Sequence, residues 1–526
     1  MYDVIVVGAG ISGIYQLYRL REAGLSVCLC EAGSGVGGTW YWNRYPGARF
    51  DSESYSYGYF FSRELFEEWR WSEEFAAQPE TERYLNHVVD RFDLRRDIHL
   101  ATRITGAAYD EADAAWLVTT ANGEQLRARF LVSAVGLLSE PYLPAIPGLA
   151  DFAGEWHHTA RWPHEAVELS GRRVAVIGTG SSGVQLIPHA ARVAAELVVF
   201  QRTANWCTPL NNRPLPASRH QELRRSFHDI YRACHASPGG FVHRPLPLSA
   251  LEVDPGERLA HFQHLYDSPG LTMLLANFRD ITTDQNANAA VTAFLRGKIR
   301  DRVTDPAVAE LLIPDDHTFG MKRPPLEDGY YEVFNQAHVT LVPLAREPIQ
   351  AFTRHGIATT NRTYPVDVAV FATGFDAVTG AITRIDIRGR GGARLAHHWA
   401  AGPRTHLGLQ SAGFPNLFFV GGPQSTTGNI PRATEIQVDW VTACLRHMAE
   451  HGRRWVEPTA AAEAAWLSHV SSTVRGTALE HATSWAFGSN IPGKARAYQL
   501  YAGGIPAYRA HCEAAVERGY EGFTFG

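Results

Sequence analysis

The N-terminal segment "MYDVIVVGAGISGIYQL", residues 1–17, carries the clearest indication of the fold class. A short apolar run precedes Gly8, Gly10 and Gly13, and apolar residues at helical spacing follow them. Strand, glycine turn and helix in this order predict a dinucleotide-binding unit, because the glycines bring the backbone and the helix N-terminus close to a pyrophosphate. The next predicted strand, "SVCLCE", ends in Glu31, a carboxylate placed to accept hydrogen bonds from ribose hydroxyl groups.

A second glycine fingerprint lies in "RRVAVIGTGSSGVQLIP", residues 172–188. Gly178, Gly180 and Gly183 repeat the spacing of the first motif, but the strand that follows leads into Arg202 instead of an acid. A guanidinium binds a 2′-phosphate through bidentate hydrogen bonds, whereas a carboxylate would repel it. We therefore interpret the second site as NADPH-binding. The alternative is that Arg202 is only a solvent-exposed charge after a strand.

The segment "GVGGTWYWNRYPGARFD", residues 35–51, narrows the first nucleotide to FAD. Gly37 and Gly38 allow the backbone to approach a ligand closely. Three aromatic side chains offer flat surfaces suited to a flavin: Trp40, Trp42 and Tyr45. The alternative is a glycine-rich loop whose aromatic residues are buried in the core. Two fingerprints with different nucleotides are typical of a chain that moves hydride from NADPH to FAD.

Composition limits the class of protein. A chain of 526 residues is too long for one ordinary core, so two or three domains are expected. The net charge of −5 argues against a general nucleic-acid or membrane surface. The six cysteines form no CxxC pair, so we expect neither a disulfide framework nor a zinc site, and no other metal. With no signal peptide and no apolar run long enough for a bilayer, we expect a cytoplasmic protein.

The fold class we predict is α/β, with two Rossmann-like dinucleotide-binding domains and a helical insertion in the NADPH-binding one. Proline-rich "SEPYLPAIPGL" and the strand-like "VDVAVFATGFD" mark two crossings between domains. Residues 1–142 form the first part of the FAD-binding domain and residues 375–526 its second part. Residues 143–374 form the NADPH-binding domain, and about 211–320 form the insertion, since apolar residues there recur every three or four positions.

The segment between the fingerprints carries a family resemblance. Phe152, Gly154, His158, Trp162 and Pro163 match the FxGxxxHxxxWP pattern of type I Baeyer–Villiger monooxygenases. The loop from Gly37 to Asp51 resembles that family's second pattern, and the likeness continues through "FGMKRPPLEDGYYEVFN", "VFATGFDAVTGA" and "SWAFGSNIPGK". The resemblance implies an FAD-containing enzyme that uses NADPH and O₂ to convert ketones, cyclic or aryl, to lactones or esters through a C4a-peroxyflavin and a Criegee intermediate.

The resemblance also implies roles for individual residues. Arg323 would stabilise the reacting peroxide, Asp51 would pair with Arg323, and Lys322 would join Arg202 at the 2′-phosphate; both members of the Arg323–Asp51 pair are the predicted catalytic residues. Trp485 would contact the nicotinamide cofactor. The predicted cofactor-binding residues are Gly8, Gly10, Ser12, Gly13, Glu31, Gly38, Thr39, Trp40, Trp42, Asp51, Tyr57, Gly178, Gly180, Ser181, Ser182, Gly183, Arg202, Thr203, Lys322, Arg323 and Trp485.

His158 invites a reading as a catalytic base, but we interpret it as an interdomain histidine that hydrogen-bonds the backbone and sets the geometry of the linker. Two other enzyme classes remain open or disfavoured: an N- or S-oxygenating flavin monooxygenase is the alternative, and a flavin disulfide reductase is disfavoured without a CxxC-type pair. A redox-sensing nucleotide-binding protein is the non-enzymatic alternative. The expected partners are a small ketone and O₂, without nucleic acid or membrane; the oligomeric state is undetermined and a monomer is compatible.

Overall fold

The computed structural model describes residues 1–477, 480 and 484–526. The fold is α/β, as predicted, and its two main sheets are each built around one glycine fingerprint. In chain order the strands are β1 (Tyr2–Val7), β2 (Val27–Cys30), β3 (Ile98–His99), β4 (Ile104–Asp110), β5 (Ala115–Thr120), β6 (Gln125–Ser133), β7 (Glu155–His158), β8 (Arg173–Ile177), β9 (Glu196–Gln201), β10 (Thr208–Pro209), β11 (Leu326–Glu327), β12 (Val339–Pro343), β13 (Ile349–Thr353), β14 (Gly356–Thr359), β15 (Thr363–Pro365), β16 (Val368–Phe371), β17 (Asp386–Arg388), β18 (Leu417–Phe419), β19 (Val456–Pro458) and β20 (Phe523–Phe525).

The helices pack on these sheets or form the insertion. In chain order they are α1 (Ile11–Glu22), α2 (Thr39–Trp42), α3 (Ser54–Tyr57), α4 (Arg63–Glu68), α5 (Gln78–Arg91), α6 (Ser181–Ala191), α7 (Ala217–Arg225), α8 (Phe227–Ala236), α9 (Pro255–Asp267), α10 (Thr272–Leu275), α11 (Gln285–Arg302), α12 (Pro306–Leu312), α13 (Tyr330–Val333), α14 (Gly380–Thr383), α15 (Leu395–His398), α16 (Ile430–Glu450), α17 (Ala460–Ser472) and α18 (Ile505–Glu517). None of them, within the described ranges, is long and apolar enough to cross a membrane.

The first sheet has the order β17-β4-β5-β6-β1-β2-β3, and β18 also pairs with β6. β1 lies parallel between β2 and β6, and its inner residues are fully buried because both faces are covered. Helices α1 and α16 pack on one face. Strands β17 and β18 come from beyond residue 375 and pair with strands that precede residue 134. The chain therefore leaves this sheet and returns to it, the arrangement expected of a split FAD-binding domain; the exact boundaries stay a prediction.

The second sheet has the order β12-β9-β8-β16-β7, with every pairing parallel. Its edge strand β7 belongs to the FxGxxxHxxxWP segment, and β16 lies at the second predicted crossing. Helix α6 follows β8 as α1 follows β1. Each fingerprint thus stands at the carboxyl end of a central parallel strand, where open α/β sheets bind their ligands.

Helices α7 to α12 form the insertion between β10 and β11. The continuous helical pattern of "RHQELRRSFHDIYRACHA" is interrupted in the structure, because Ser226 (φ −91°, ψ 9°) separates α7 from α8. Apolar residues of α9 to α12 share one core with the inner face of the second sheet. The insertion is therefore packed on the nucleotide-binding unit instead of standing away from it.

Candidate active site

A cavity of about 1830 Å³ is lined by both glycine fingerprints. This volume exceeds the range of about 300–1,000 Å³ that is typical of a pocket for one small ligand. All the predicted cofactor-binding residues line it except Gly13 and Gly183, which lie behind the turns. The structure thus brings together side chains that are up to several hundred residues apart in the sequence, and the cavity has room for more than one ligand.

The first fingerprint is shaped by close backbone approaches. Gly8 has a φ of +106°, and a Cβ on it would lie 2.6 Å from the carbonyl oxygen of Ala134. A Cβ on Gly13 would lie 1.8 Å from the carbonyl oxygen of Gly8, so the helix packs on the turn only because this residue has no side chain. Gly10 precedes α1 without a side-chain cap, which leaves the N-terminus of the helix facing the cavity. This is the geometry that holds a pyrophosphate.

Glu31 lines the cavity beside the first fingerprint. Its Oε2 accepts the backbone N–H of Ala9 at 2.7 Å, and its Oε1 accepts that of Gly33 at 2.8 Å. The carboxylate therefore holds two loops together while it lines the cavity. Each carboxylate oxygen accepts more than one hydrogen bond, so the predicted contact with a ribose remains compatible with these partners.

The second fingerprint repeats the geometry of the first. Gly178 has a φ of +111°, and a Cβ on Gly183 would lie 2.2 Å from the carbonyl oxygen of Gly178. The turn is tied to the end of β9, since Thr179 Oγ1 donates to the carbonyl of Thr203 at 3.0 Å. Ser181, Ser182 and Gln185 of α6 line the cavity. Both helix N-termini consequently open on the same space.

The aromatic loop after Gly37 has a more structural role than the sequence suggested. Trp40 is buried, and its Nε1 donates to the hydroxyl of Tyr57 at 3.0 Å. Tyr45 turns toward the second fingerprint, where its hydroxyl donates to Oε1 of Gln185 on α6 at 2.7 Å. All three predicted aromatic residues line the cavity, but Tyr45 also packs in the core of the second sheet. The loop therefore joins the two nucleotide subsites as well as lining one of them.

Gly47 explains why this loop can meet α6. Its φ is +87°, and a Cβ there would lie 2.6 Å from the carbonyl oxygen of Gln185 and 2.5 Å from the ring of His189. Gln185 Nε2 in turn donates to the carbonyl of Arg49 at 3.0 Å. The "YPG" sequence is thus a contact between the two halves of the site.

Asp51 and Arg323, which are 272 residues apart in the sequence, pair on the wall of the cavity. Arg323 Nε lies 2.6 Å from Asp51 Oδ2, and its Nη2 lies 2.7 Å from Oδ1, a bidentate pair. The guanidinium carbon also stands 5.3 Å from the ring centroid of Phe241. About a third of each side chain of the pair is exposed, and both line the cavity. The structure therefore presents an oriented cation on the wall of the cavity that both fingerprints line.

The two cations predicted at the 2′-phosphate both line the cavity, but their surroundings differ. Arg202 is exposed directly after β9. Lys322 instead donates to Asp316 Oδ2 at 3.1 Å, and Asp316 also contacts His317. Asp316 was not among the residues predicted from the sequence, although it lies only six residues before Lys322. A bound phosphate would compete with this carboxylate for the lysine.

His158 joins the two crossings between the sheets. Its Nδ1 accepts the backbone N–H of Ala160 at 3.0 Å, and its Nε2 lies 3.3 Å from both the carbonyl of Tyr142 and Oγ1 of Thr373. Burial lowers the pKa of His158 to about 4, so the ring is neutral near pH 7 and Nε2 is the nitrogen that carries the proton. Phe152, Gly154, His158, Trp162 and Pro163 do not line the cavity.

Two further contacts concern predicted motifs. Trp485 is 39% exposed and lines the cavity, so it is not a core tryptophan. Lys494, in the same motif, donates to Asp376 Oδ1 at 2.6 Å and holds the C-terminal segment against the second crossing. Arg161, which the sequence reasoning missed although it lies inside the FxGxxxHxxxWP motif, stacks 4.6 Å from the ring of Trp42.

Comparison with known proteins identifies relatives that match almost the whole chain. Residues 5–225 match the family model described as pyridine nucleotide-disulphide oxidoreductase. The chain is 44% identical to 2-oxo-Δ3-4,5,5-trimethylcyclopentenylacetyl-CoA monooxygenase of Pseudomonas putida, covering 99% of this chain and 98% of that protein. It is 41% identical to acetone monooxygenase (methyl acetate-forming) of Gordonia sp. strain TY-5, with the same coverage. It is also 41% identical to phenazine N-monooxygenase PhzNO1 of Lysobacter antibioticus, covering 99% and 95%.

The solved structures agree with the sequence relatives. The crystal structure of OTEMO in complex with FAD and NADP (form 3) superposes with a TM-score of 0.97 at 44% identity, covering 100% of this chain and 99% of that chain. Identity and coverage of this size extend over both sheets and the insertion.

Proposed function

Because the chain belongs to the Baeyer–Villiger monooxygenases, we propose that its cavity holds FAD and NADPH together and oxygenates a small ketone beside Arg323. The motif resemblance is thereby confirmed, and the protein is an FAD-containing, NADPH- and O₂-dependent monooxygenase. The observation that carries the proposed site is the bidentate Arg323–Asp51 pair on the wall of a cavity shared by both fingerprints.

FAD fits the first subsite. Gly10 and Gly38 approach so closely that a Cβ on Gly38 would lie 2.7 Å from the Cα of Gly10, which leaves bare backbone N–H groups for a pyrophosphate. Glu31 would hold the ribose, and the loop with Thr39, Trp40, Trp42 and Tyr57 would flank the flavin. When bound, FAD supplies the capacity to accept hydride from NADPH and to activate O₂.

NADPH would occupy the second subsite. Ser181 and Ser182 at the N-terminus of α6 would bind the pyrophosphate. Arg202, Thr203 and Lys322 would surround the 2′-phosphate, and Lys322 would exchange part of its contact with Asp316 for the phosphate. Trp485 at the cavity wall would cover the nicotinamide end.

Arg323 would stabilise negative charge that develops on oxygen during the reaction. A guanidinium stays protonated at every relevant pH, so this function needs no proton transfer by Arg323. Asp51 fixes its orientation through two hydrogen bonds before the substrate arrives, which is the condition for electrostatic stabilisation without reorganisation. Asp51 thus orients the cation, and the cation acts on the reacting oxygen.

The ketone would lie against an apolar wall next to Arg323. Phe241, Leu326 and Leu275 belong to one apolar cluster, and each also lines the cavity. Phe241 contacts Arg323 directly. The named relatives take an acyl-CoA-linked cyclopentenone and acetone, and we propose a ketone, cyclic or aryl, for this chain.

His158 and its motif would set the geometry between the two nucleotide subsites. Its ring contacts residues of both crossings and does not reach the cavity. This supports the division into residues 1–142, 143–374 and 375–526. The position of α7 to α12 between β10 and β11 supports the insertion at about 211–320. The cytoplasmic location remains part of the same proposal.

A second candidate activity is N-oxygenation of an aromatic heterocycle, since one relative at 41% identity is a phenazine N-monooxygenase. One experiment separates the two. The FAD-loaded protein is given NADPH in air with ketones of graded size or with phenazine, and products are identified by mass spectrometry. Ester or lactone from a ketone, absent without O₂ or NADPH, supports the proposal. N-oxide from phenazine together with no ester from any ketone would replace it by the second candidate.

A further inference from the structure

Three segments, each with at least one residue on the cavity wall, meet in a junction that we define as residues 53–57, 239–243 and 428–430. The first follows Asp51, the second lies between α8 and α9 of the insertion, and the third leads into α16. Each belongs to a different part of the chain, and none carries a glycine fingerprint. Polar side chains, described next, connect all three.

Glu53 and His243 connect the first two segments. Glu53 is buried, and its Oε1 lies 2.5 Å from Nε2 of His243, whose side chain is 21% exposed. The backbone carbonyl of Glu53 accepts the N–H of Tyr57 at 3.0 Å and so begins α3. The carboxylate that meets His243 therefore belongs to a residue two positions after Asp51, at the start of α3.

Asn429 connects the third segment to the other two. Its Nδ2 donates to the carbonyl of Ser56 at 2.9 Å and to that of Gly240 at 3.1 Å, while its backbone N–H donates to the carbonyl of Gly239 at 2.7 Å. The amide is fully buried. The junction thus has two polar links to segment 239–243, one on each side of Phe241.

Phe241 is the reason that this junction matters for the reaction. Its ring lies 5.3 Å from the guanidinium carbon of Arg323, and its backbone N–H donates to Ser237 Oγ at 2.8 Å. Arg323 consequently has two neighbours that fix it, the Asp51 carboxylate and the Phe241 ring. The Glu53–His243 pair joins the segments that carry these two neighbours.

We propose that Glu53 and His243 are positioning residues that hold the side chains of Phe241 and Asp51 in place around Arg323. The inference rests on the proposed function, because it gives the pair its importance through Arg323. Neither residue lines the cavity, so neither is placed to touch substrate or cofactor. Loss of the pair lets Arg323 depart from the reacting oxygen while both nucleotide subsites stay intact.

The charge of the pair has a definite pH dependence. The hydrogen bond and the charge of Glu53 outweigh burial and raise the pKa of His243 above its ordinary value. The acidic group that faces His243 is Glu53. Glu53 also acts electrostatically on Glu74, on Tyr55 of its own segment and on Cys234 of α8. Because a raised histidine pKa favours the charged form, the ion pair is complete at lower pH and is lost as the pH rises through that pKa.

The test uses Glu53→Gln, His243→Gln and the double variant in the FAD-loaded protein. Exposed His228 on α8 and exposed Glu257 on α9 give the matched controls His228→Gln and Glu257→Gln. We expect each test variant to lose about tenfold in ester formed per NADPH consumed, with the balance as hydrogen peroxide, and the double variant to be no worse than either single one. Flavin reduction by NADPH should stay within about twofold of the parent.

Histidine ¹H–¹⁵N spectra give a readout that does not depend on turnover. The histidine signal that is absent from the spectrum of His243→Gln identifies His243. In the parent this signal should titrate above pH 6.5, and in Glu53→Gln it should titrate at lower pH. The advantage of the parent over His243→Gln in ester yield should shrink as the pH rises through the titration of that signal. If Glu53→Gln fails to fold, His243→Gln, which changes the less buried partner, still decides the question.

The outcomes separate the inference from the function. Ester yields at the parental level in His243→Gln and Glu53→Gln, or additive losses in the double variant, overturn the positioning pair and leave the monooxygenase intact. An equal loss in flavin reduction and in ester formation overturns it too, because that pattern indicates general damage. A parent that makes no ester from any ketone overturns the proposed function and the inference together.

Discussion

Replacing Arg323 with alanine should separate flavin reduction from oxygenation. The variant removes a guanidinium held by two hydrogen bonds of 2.6 and 2.7 Å to Asp51 and leaves that carboxylate unpaired at the cavity wall. Loss of one preorganised charge-stabilising group costs about 10²–10³ in rate, equivalent to about 2.7–4 kcal/mol. A third of the pair is exposed, so water screens part of the effect and we expect the lower end, about a hundredfold, in ester formation.

Flavin reduction should change much less in Arg323→Ala. Both helix N-termini and the Arg202 side of the cavity remain, and these groups hold the two nucleotides. The oxygen consumed should appear as hydrogen peroxide. Rapid-mixing absorbance at the flavin band measures reduction, and mass spectrometry and a peroxide assay measure how the oxygen is divided. Asp51→Ala should show a milder form of the same uncoupling, because Asp51 orients the cation.

The matched control is Arg225→Ala, which removes an exposed arginine at the end of α7. It should retain parental rates of reduction and of ester formation. Ester formation by Arg323→Ala at the parental rate would refute the assignment, since the stabilising cation would then lie elsewhere. Reduction and oxygenation that fall by the same factor would also count against it, because the residue would then serve nucleotide binding alone.

Two more substitutions test the other parts of the site. Arg202→Ala removes one charge-assisted contact of about 1.5–3 kcal/mol, so it should raise the KM for NADPH by about ten- to a hundredfold. The KM for NADH should stay nearly unchanged in the same steady-state assays. Equal losses for both cofactors would reject the 2′-phosphate contact. His158 has a folded-state pKa of about 4 and an ordinary value of 6.5, so the neutral ring stabilises the fold above pH 6.5 and this contribution falls as the pH drops toward 4. Acidification from pH 7 to 5 should therefore cost the parent about 2 kcal/mol through this group, and the thermal midpoint of His158→Gln should fall less over the same interval; equal falls would contradict the burial argument.

The glycine fingerprints were predictable because their requirements are local. Gly8 needs a positive φ, and Gly13 stands where a Cβ would meet the carbonyl oxygen of Gly8, only five residues away. These steric requirements involve residues that are close together in the sequence, so the spacing of the glycines alone indicates strand, turn and helix. The same logic predicted the second unit around Gly178 and the α/β fold class.

Contacts between distant segments were only partly predictable. The Asp51–Arg323 pair was expected from the family resemblance, because nothing in the spacing of two residues 272 positions apart indicates contact. Tyr45 was expected to offer its ring to a flavin, yet it also hydrogen-bonds Gln185 on α6, a partner 140 residues away. Lys322 was assigned to a phosphate, and its protein partner Asp316 was overlooked. In each case the residue type indicated a role in the site, but the sequence did not indicate which residue would be its partner.

The junction around Glu53, His243 and Asn429 shows why that limit is physical. A buried carboxylate or amide requires partners, so the need for contacts can be inferred from burial, but burial itself is known only after the chain has folded. The partners lie 190 and 373 residues apart, and Glu53, His243 and Asn429 all lie outside the helices and strands, where no periodicity constrains which side chains meet. The positions of the two nucleotide subsites can be predicted from repeated local motifs. The position of the Arg323 side chain depends instead on contacts among the three segments of the junction. Substitutions within residues 239–243 should consequently alter how oxygen is divided between ester and peroxide more than they alter nucleotide binding.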